Sequence, residues 1–298
     1  MSSQQPDPSQ IGQTERIDID HTATSQIHHG AMHSSGNVSE IAREKVYVGD
    51  PEEPFQRIPW VKGNAVRGHI RRLLAEDLIE RVGYTIRDER LYHLLRAGGV
   101  LEQDGKAEID VGLRREIREA LPTIDLLGAS TGNQMFQGTV NIGHMILVCE
   151  ENEPRTGVEA NVSHYELVDT VKQAGHYDHP DDTGMDTDFG FDFDDEDASA
   201  NDHADERSYY GFKALIPNTR FVQQIAFESY ATELARSCMF HGLALWQDEG
   251  VIGGKSSQGY GQVDMEIDAD LSDRQLYLDY VEENSDTIIE ALDTLSAK

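Results

Sequence analysis

From Ile17 onward the chain alternates. Ile17, Ile19, His21 and Ala23 fall on one side and Asp18, Asp20, Thr22 and Thr24 on the other, the period of a half-buried strand. That strand leads through Ile27-His28-His29-Gly30 into a Ser/Gly/Asn loop expected over 33–39. Residues 55–62 predict a short strand broken by Pro59, and Asn64 is placed to cap a helix beginning near Ala65. In that helix Val66, Ile70, Leu73, Leu74 and Leu78 form an apolar stripe, with Arg67, Arg71 and Arg72 on another face. Residues 84–122 read as mostly helical, and strand character returns at 139–149, 158–168 and 209–227. A helix is expected at about 228–247, then a glycine-rich loop and a last strand. Ser272 is expected to cap a C-terminal helical segment over 269–298. Mixed strand and helix order, with strands far apart in sequence, predicts an α+β sheet with helices on one face.

Charge then divides the chain. Asp and Glu number 55 against 25 Lys and Arg, a net charge of −30, and only seven of the bases are lysine. Acid excess with scarce lysine points to a protein working at high salt, where the Debye length falls to about 3 Å. Nucleic-acid binding then rests on short-range contacts rather than long-range steering. Thirteen of the acids lie within 178–206 without one Lys or Arg, which predicts a mobile, solvent-facing insertion. The tail over 1–16 is expected to be disordered. What remains, 17–177 and 207–268, is expected to form one domain with 84–122 as a helical insertion. Cys149 and Cys238, without CxxC spacing, fit a reducing cytoplasm. No apolar run approaches the 18 residues of a membrane span.

Two stretches carry candidate chemistry. IGGKSSQGYGQV at 252–263 holds four glycines, one lysine and two serines. Such a loop can turn successive amides toward an anion, or serve merely as a turn. It is not a P-loop, because Glu249 stands where the upstream glycine is required. IPWVKGNAVRGHIRR at 58–72 places Lys62, Gly63 and Asn64 where a strand meets a helix N-terminus, a ready phosphate site. Arg57, Lys62, Arg67, Arg71 and Arg72 make this a local reversal of charge. His28, His29 and His33 lack the spacing of a metal site, and neither a metal nor a cofactor is expected. His21 with His29 offers an acid–base pair for RNA cleavage, a nonspecific signal among twelve histidines.

The stretch IPWVKGNAVRGHIRRLL resembles the IPGSSLKGALR element of the CRISPR-associated RAMP superfamily. GGKSSQGYGQV resembles that superfamily's C-terminal glycine signature, GGKSSRGFGRV, and DLLGASTGNQMFQGTVNIGHMI at 125–146 is similar to a segment of CRISPR effector backbone subunits. The motifs occur in the family's order, and TATSQIHHGAM before PWVKGNAVRGHIRR is most like the type IV backbone subunit, with type I-D second. The resemblance implies a ferredoxin-like (RRM-like) palm with helical and hairpin insertions. It implies copies polymerising along a guide (crRNA) RNA, other effector subunits as partners, and a target strand recognised by pairing with the guide, in antiviral and antiplasmid defence. By matching position, Lys62, Asn64, Arg67 and Arg71 are expected on guide phosphates and sugars. Gly253, Gly254, Lys255, Ser256 and Ser257 are expected to form an amide cradle beside them. Type III relatives cleave target RNA with an aspartate in the loop after the first strand. Residues 31–39 contain no Asp or Glu, so this subunit is expected to be non-catalytic. Gln258 and Gln262 also replace arginines common in the signature. The alternative function is a metal-independent RAMP endoribonuclease that processes precursor guides with His21 or His29.

Overall fold

The computed structural model describes residues 15–49, 51–52, 54–99, 110–131, 134–174 and 209–297. The expectations for the tail and for the 178–206 insertion lie outside these residues. In chain order the strands are β1 (Arg16–Ala23), β2 (Gly30–Ser35), β3 (Val38–Ile41), β4 (Arg43–Tyr47) and β5 (Phe55–Val61). Helices α1 (Gly63–Val82), α2 (Glu89–Ala97), α3 (Val111–Ala120) and α4 (Pro122–Leu127) follow, then β6 (Ala129–Thr131), β7 (Gln134–Phe136), β8 (Val140–Ile142), β9 (Met145–Leu147) and α5 (Glu153–Thr156). The rest is β10 (Val168–Ala174), β11 (Tyr209–Leu215), β12 (Arg220–Phe227), α6 (Glu233–Glu249), β13 (Val263–Ile267), α7 (Gln275–Glu283) and α8 (Ser285–Ser296).

The main sheet runs β13-β1-β12-β9-β5-β4, with β8 also paired to β12. Taken with α1 and α6, the strands β1, β8/β9, β12 and β13 reproduce the βαββαβ ferredoxin-like order, with the two terminal strands paired at one edge. The alternation in β1 is realised: Ile17, Ile19, His21 and Ala23 are buried, while Asp18 and Asp20 face water. Val66, Ile70, Leu74 and Leu78 of α1 close the core from one side of the sheet, against Cys238, Met239, Leu243 and Trp246 of α6. The two helices approach so closely that a Cβ at Gly242 would sit 2.8 Å from Ile70 Cγ2. A second sheet, β10-β11-β3-β2, stands beside the first.

Several local expectations are corrected. Residues 33–39 are not a loop but the turn of the β2–β3 hairpin, with Ser35 opposite Val38 and Gly36 at φ 57°. β2 is largely exposed and β3 buries only Ile41, so no apolar alternation announced them. Pro59 does not break β5. It sits opposite Arg43 of β4, and pairing with β9 begins only at Trp60, where a donor is needed again. Asn64 lies inside α1, which Lys62 precedes without any side-chain cap. Residues 158–167 form no strand: the Glu151 carboxylate accepts from Ser163 Oγ and the His164 amide, and these bonds turn the chain. The expected strand over 139–149 divides at Gly143 and His144 into β8 and β9. Helix α6 starts at Glu233, capped by Thr232 rather than from 228, and Asp270 rather than Ser272 caps the turn before α7.

Candidate nucleic acid interface

The glycine loop is shaped by one short segment. The Gly254 N–H donates to His28 O at 2.8 Å and the Gly261 N–H to Gln26 O at 2.8 Å, so the loop closes over residues 26–28. Gly253 (φ 90°) and Gly261 (φ 85°) must be glycine. A Cβ would meet His28 O at 2.7 Å in the first case and Ile252 O at 2.1 Å in the second. Gly254 differs: its Cβ would make ordinary contacts at 3.6 Å and beyond. Lys255 takes φ 66°, a left-handed conformation costly for a side chain, and its Nζ lies 4.7 Å from the centre of the Phe212 ring. Phe212 in turn meets His28 and Tyr260 edge-on, each at 5.0 Å. The amides of Gln258, Gly259 and Tyr260 close on the carbonyls of Lys255 and Ser256. Those of Lys255, Ser256 and Ser257 make no such bond among the described residues. Of the expected cradle, the Gly254 amide is tied to His28 O, while those of Lys255, Ser256 and Ser257 have no backbone acceptor among the described residues.

The strand–helix junction meets the same segment one residue later. His29 Nε2 accepts from the Lys62 N–H at 3.4 Å, and His144 Nδ1 accepts from the Gly63 N–H at 2.8 Å. A Cβ at Gly63 would lie 2.2 Å from Ile142 O, so glycine is obligatory there as well. The helix end thus spends one amide on His144, whose exposed ring packs at 4.1 Å from Trp60. His28 holds the glycine loop and His29 holds the junction. These adjacent residues bring together stretches about 190 positions apart, with Lys62 exposed and Lys255 half-exposed.

Arg67 and Arg71 are placed differently from the expectation. Arg67 Nη2 donates to Val140 O at 2.6 Å, and Arg71 forks onto Gly128 O and Leu127 O at 2.8 and 2.9 Å. Both are half-buried and clamp residues 127–140 against α1. No carboxylate pairs with either among the described residues. Burial, and then the neighbouring Arg67 charge, lowers the Arg71 pKa to about 10. His144, Trp60 and Phe212 pack around the candidate interface, and the sequence reading did not single them out, since lone rings carry no motif.

The histidines offered as an acid–base pair are separated by burial. His21 is wholly buried. Its Nε2 donates to Gln223 Oε1 at 3.0 Å, while Gln223 Nε2 donates to Gly143 O at 2.8 Å. His21 Nδ1 has no partner, and burial brings the pKa down to about 4. It has no route to an RNA. His29 is held below its ordinary range by burial, then by Lys62 and His28. No group of three or more His, Cys, Asp or Glu among the described residues is arranged to hold a metal ion.

The fold is shared with a chain of a Type IV-B CRISPR complex. The two superpose with a TM-score of 0.60 over 86% of this chain and 91% of that one, at 18% identity. No protein-family model matches the sequence. No curated protein matches it either. Among the described residues no helix is long and apolar enough to cross a membrane.

Proposed function

We propose that this chain is a non-catalytic backbone subunit of a CRISPR effector of the type IV kind, copies of which line up along one guide RNA. The observation that carries the reading is the His28–His29 bridge. It ties the loop that carries Lys255 and the amides 255–257 and the junction that carries Lys62 to two adjacent residues, in a protein whose net charge is −30. Neither lysine has a carboxylate partner among the described residues, which leaves both ammonium groups available to an anion. The fold shared with a chain of a Type IV-B CRISPR complex supports the same reading. Lys62, Asn64, Lys255, Ser256 and Ser257 hold phosphates and sugars directly, and Gly253 shapes the loop. Arg67 and Arg71 act at one remove by fixing residues 127–140, and Gly254 anchors the cradle to His28. Sequence is read by guide–target pairing, the protein reading backbone and shape.

The test is purification at high salt with guide and partner subunits. Wild type is expected to retain RNA of mixed sequence and uniform length, and Lys62→Gln with Lys255→Gln to lose it without a change in melting temperature. An RNA-free wild-type protein refutes the proposal. The rival endoribonuclease reading predicts cleavage of repeat RNA that His29→Ala abolishes. Burial of His21 and the engagement of His29 Nε2 with the Lys62 amide favour the non-catalytic reading.

A further inference from the structure

The β4–β5 hairpin carries a feature that the guide cradle does not use. Register places Tyr47 opposite Phe55, Lys45 opposite Arg57 and Arg43 opposite Pro59. Residues two apart share a face, so Arg43, Lys45, Tyr47, Phe55 and Arg57 lie on one side of the ribbon. Tyr47 is 69% exposed and Phe55 51%. Their ring centres are 5.5 Å apart, and Lys45 Nζ sits 4.2 Å above Phe55. The ribbon's one acid within the paired residues, Glu44, is on the opposite face and is taken by Arg155 at 2.6 Å. Glu40, whose charge reaches Arg43, is taken by Lys213 at 2.9 Å. Neither Lys45 nor Arg57 has a carboxylate partner among the described residues.

Two physical costs are therefore held on one surface. Like charges directly across an antiparallel pair repel, and a pair of large exposed rings is apolar area left in water. In a chain with 55 acids, three cations share a face on which the paired residues 43–47 and 55–59 place no acid. Two exposed rings, tilted 59° to one another and interleaved with cations that no carboxylate pairs among the described residues, match a single-stranded nucleic acid: bases on the rings, phosphates on the cations. An acidic peptide would use the cations but has no need of the rings. Strand β5 runs on from Arg57 to Val61, and Lys62 follows it directly, five residues or roughly 17 Å from Arg57.

We propose that the Tyr47/Phe55 face is a second, stacking site for single-stranded nucleic acid, distinct from the amide cradle. It rests on the guide reading only for the identity of the strand. The test is fluorescence anisotropy of the full chain across a salt series, with a labelled 12-nucleotide uridine RNA and the same backbone without bases. Tyr47→Ala with Phe55→Ala is expected to weaken RNA binding by about tenfold per ring while leaving the abasic strand unaffected. Lys45→Gln with Arg57→Gln is expected to lower the slope of log K against log salt by about 0.7 per cation for both strands. Wild-type affinity in the ring variant, with unchanged melting, overturns the proposal. So does a ring variant that changes only self-association in sedimentation, which would make the face a contact between copies. Lys62→Gln with Lys255→Gln separates the two readings: if it binds like wild type while the ring variant does not, the cradle fails and the ribbon stands.

Discussion

Replacing Gly261 by alanine tests the account of the glycine loop most sharply. At φ 85° an L-residue is in the left-handed region, which costs about 1–2 kcal/mol. The added Cβ would also lie 2.1 Å from Ile252 O, a backbone atom with no rotamer to escape through. Relief requires displacing the Ile252–Gly261 and Gly261–Gln26 hydrogen bonds, both 2.8 Å, at about 0.5–1.5 kcal/mol each. The sum is about 2–5 kcal/mol. Gly254→Ala is the matched control, because its Cβ meets nothing closer than 3.6 Å and no positive φ is involved. It is expected to stay within about 1 kcal/mol of wild type. Urea unfolding at fixed high salt, with the slope m checked for constancy, reads both values. Equal midpoints for Gly261→Ala and wild type would refute the close-approach argument. A Gly254→Ala protein as unstable as Gly261→Ala would show that the loop tolerates a side chain at neither position, whatever the space around it.

Arg71→Met is expected to cost about 2–4 kcal/mol in urea unfolding, since it leaves Leu127 O and Gly128 O without a donor. Arg71→Lys is expected to recover less than half, a point charge being unable to fork. The His21 pKa, lowered from 6.5 to about 4, implies that the unfolded chain binds the extra proton between these values. Its stability contribution is complete above pH 6.5 and is lost as pH falls toward 4, in all about 3 kcal/mol. His21→Asn is expected to flatten stability against pH in that window, and an unchanged slope contradicts the assignment. Burial pushes the Cys149 thiol up to about 12 and holds Cys238 well above its usual value. Iodoacetamide at pH 8 is therefore expected to label neither until urea unfolds the chain, and prompt labelling in buffer contradicts the burial.

The strongly periodic elements were readable because one face of each is buried. The alternation in β1 and the stripe in α1 state which side chains meet the core before any neighbour is known. Elements with little buried surface were not readable: β2 is largely exposed and β3 buries only Ile41, and their pairing closes at the turn that contains Gly36. Capping residues were misplaced by a few positions, because Thr232, Asp270 and His144 compete with plausible neighbours and only geometry selects among them.

For the interface, the sequence by itself determined the residue types. A glycine loop with one lysine and a strand–helix junction rich in arginine are local facts of composition, and their motifs carried the resemblance to RNA-binding subunits. Which donors are free is a tertiary matter. Arg67 and Arg71 look identical to Lys62 in a sequence, yet their guanidinium groups reach backbone carbonyls of residues 127–140, whereas Lys62 faces water. The same holds for the meeting of the two stretches. Nothing local links residue 62 to residue 254. Residues 26–29, between β1 and β2, lie between them, and hydrogen bonds accepted by two consecutive histidines close the gap.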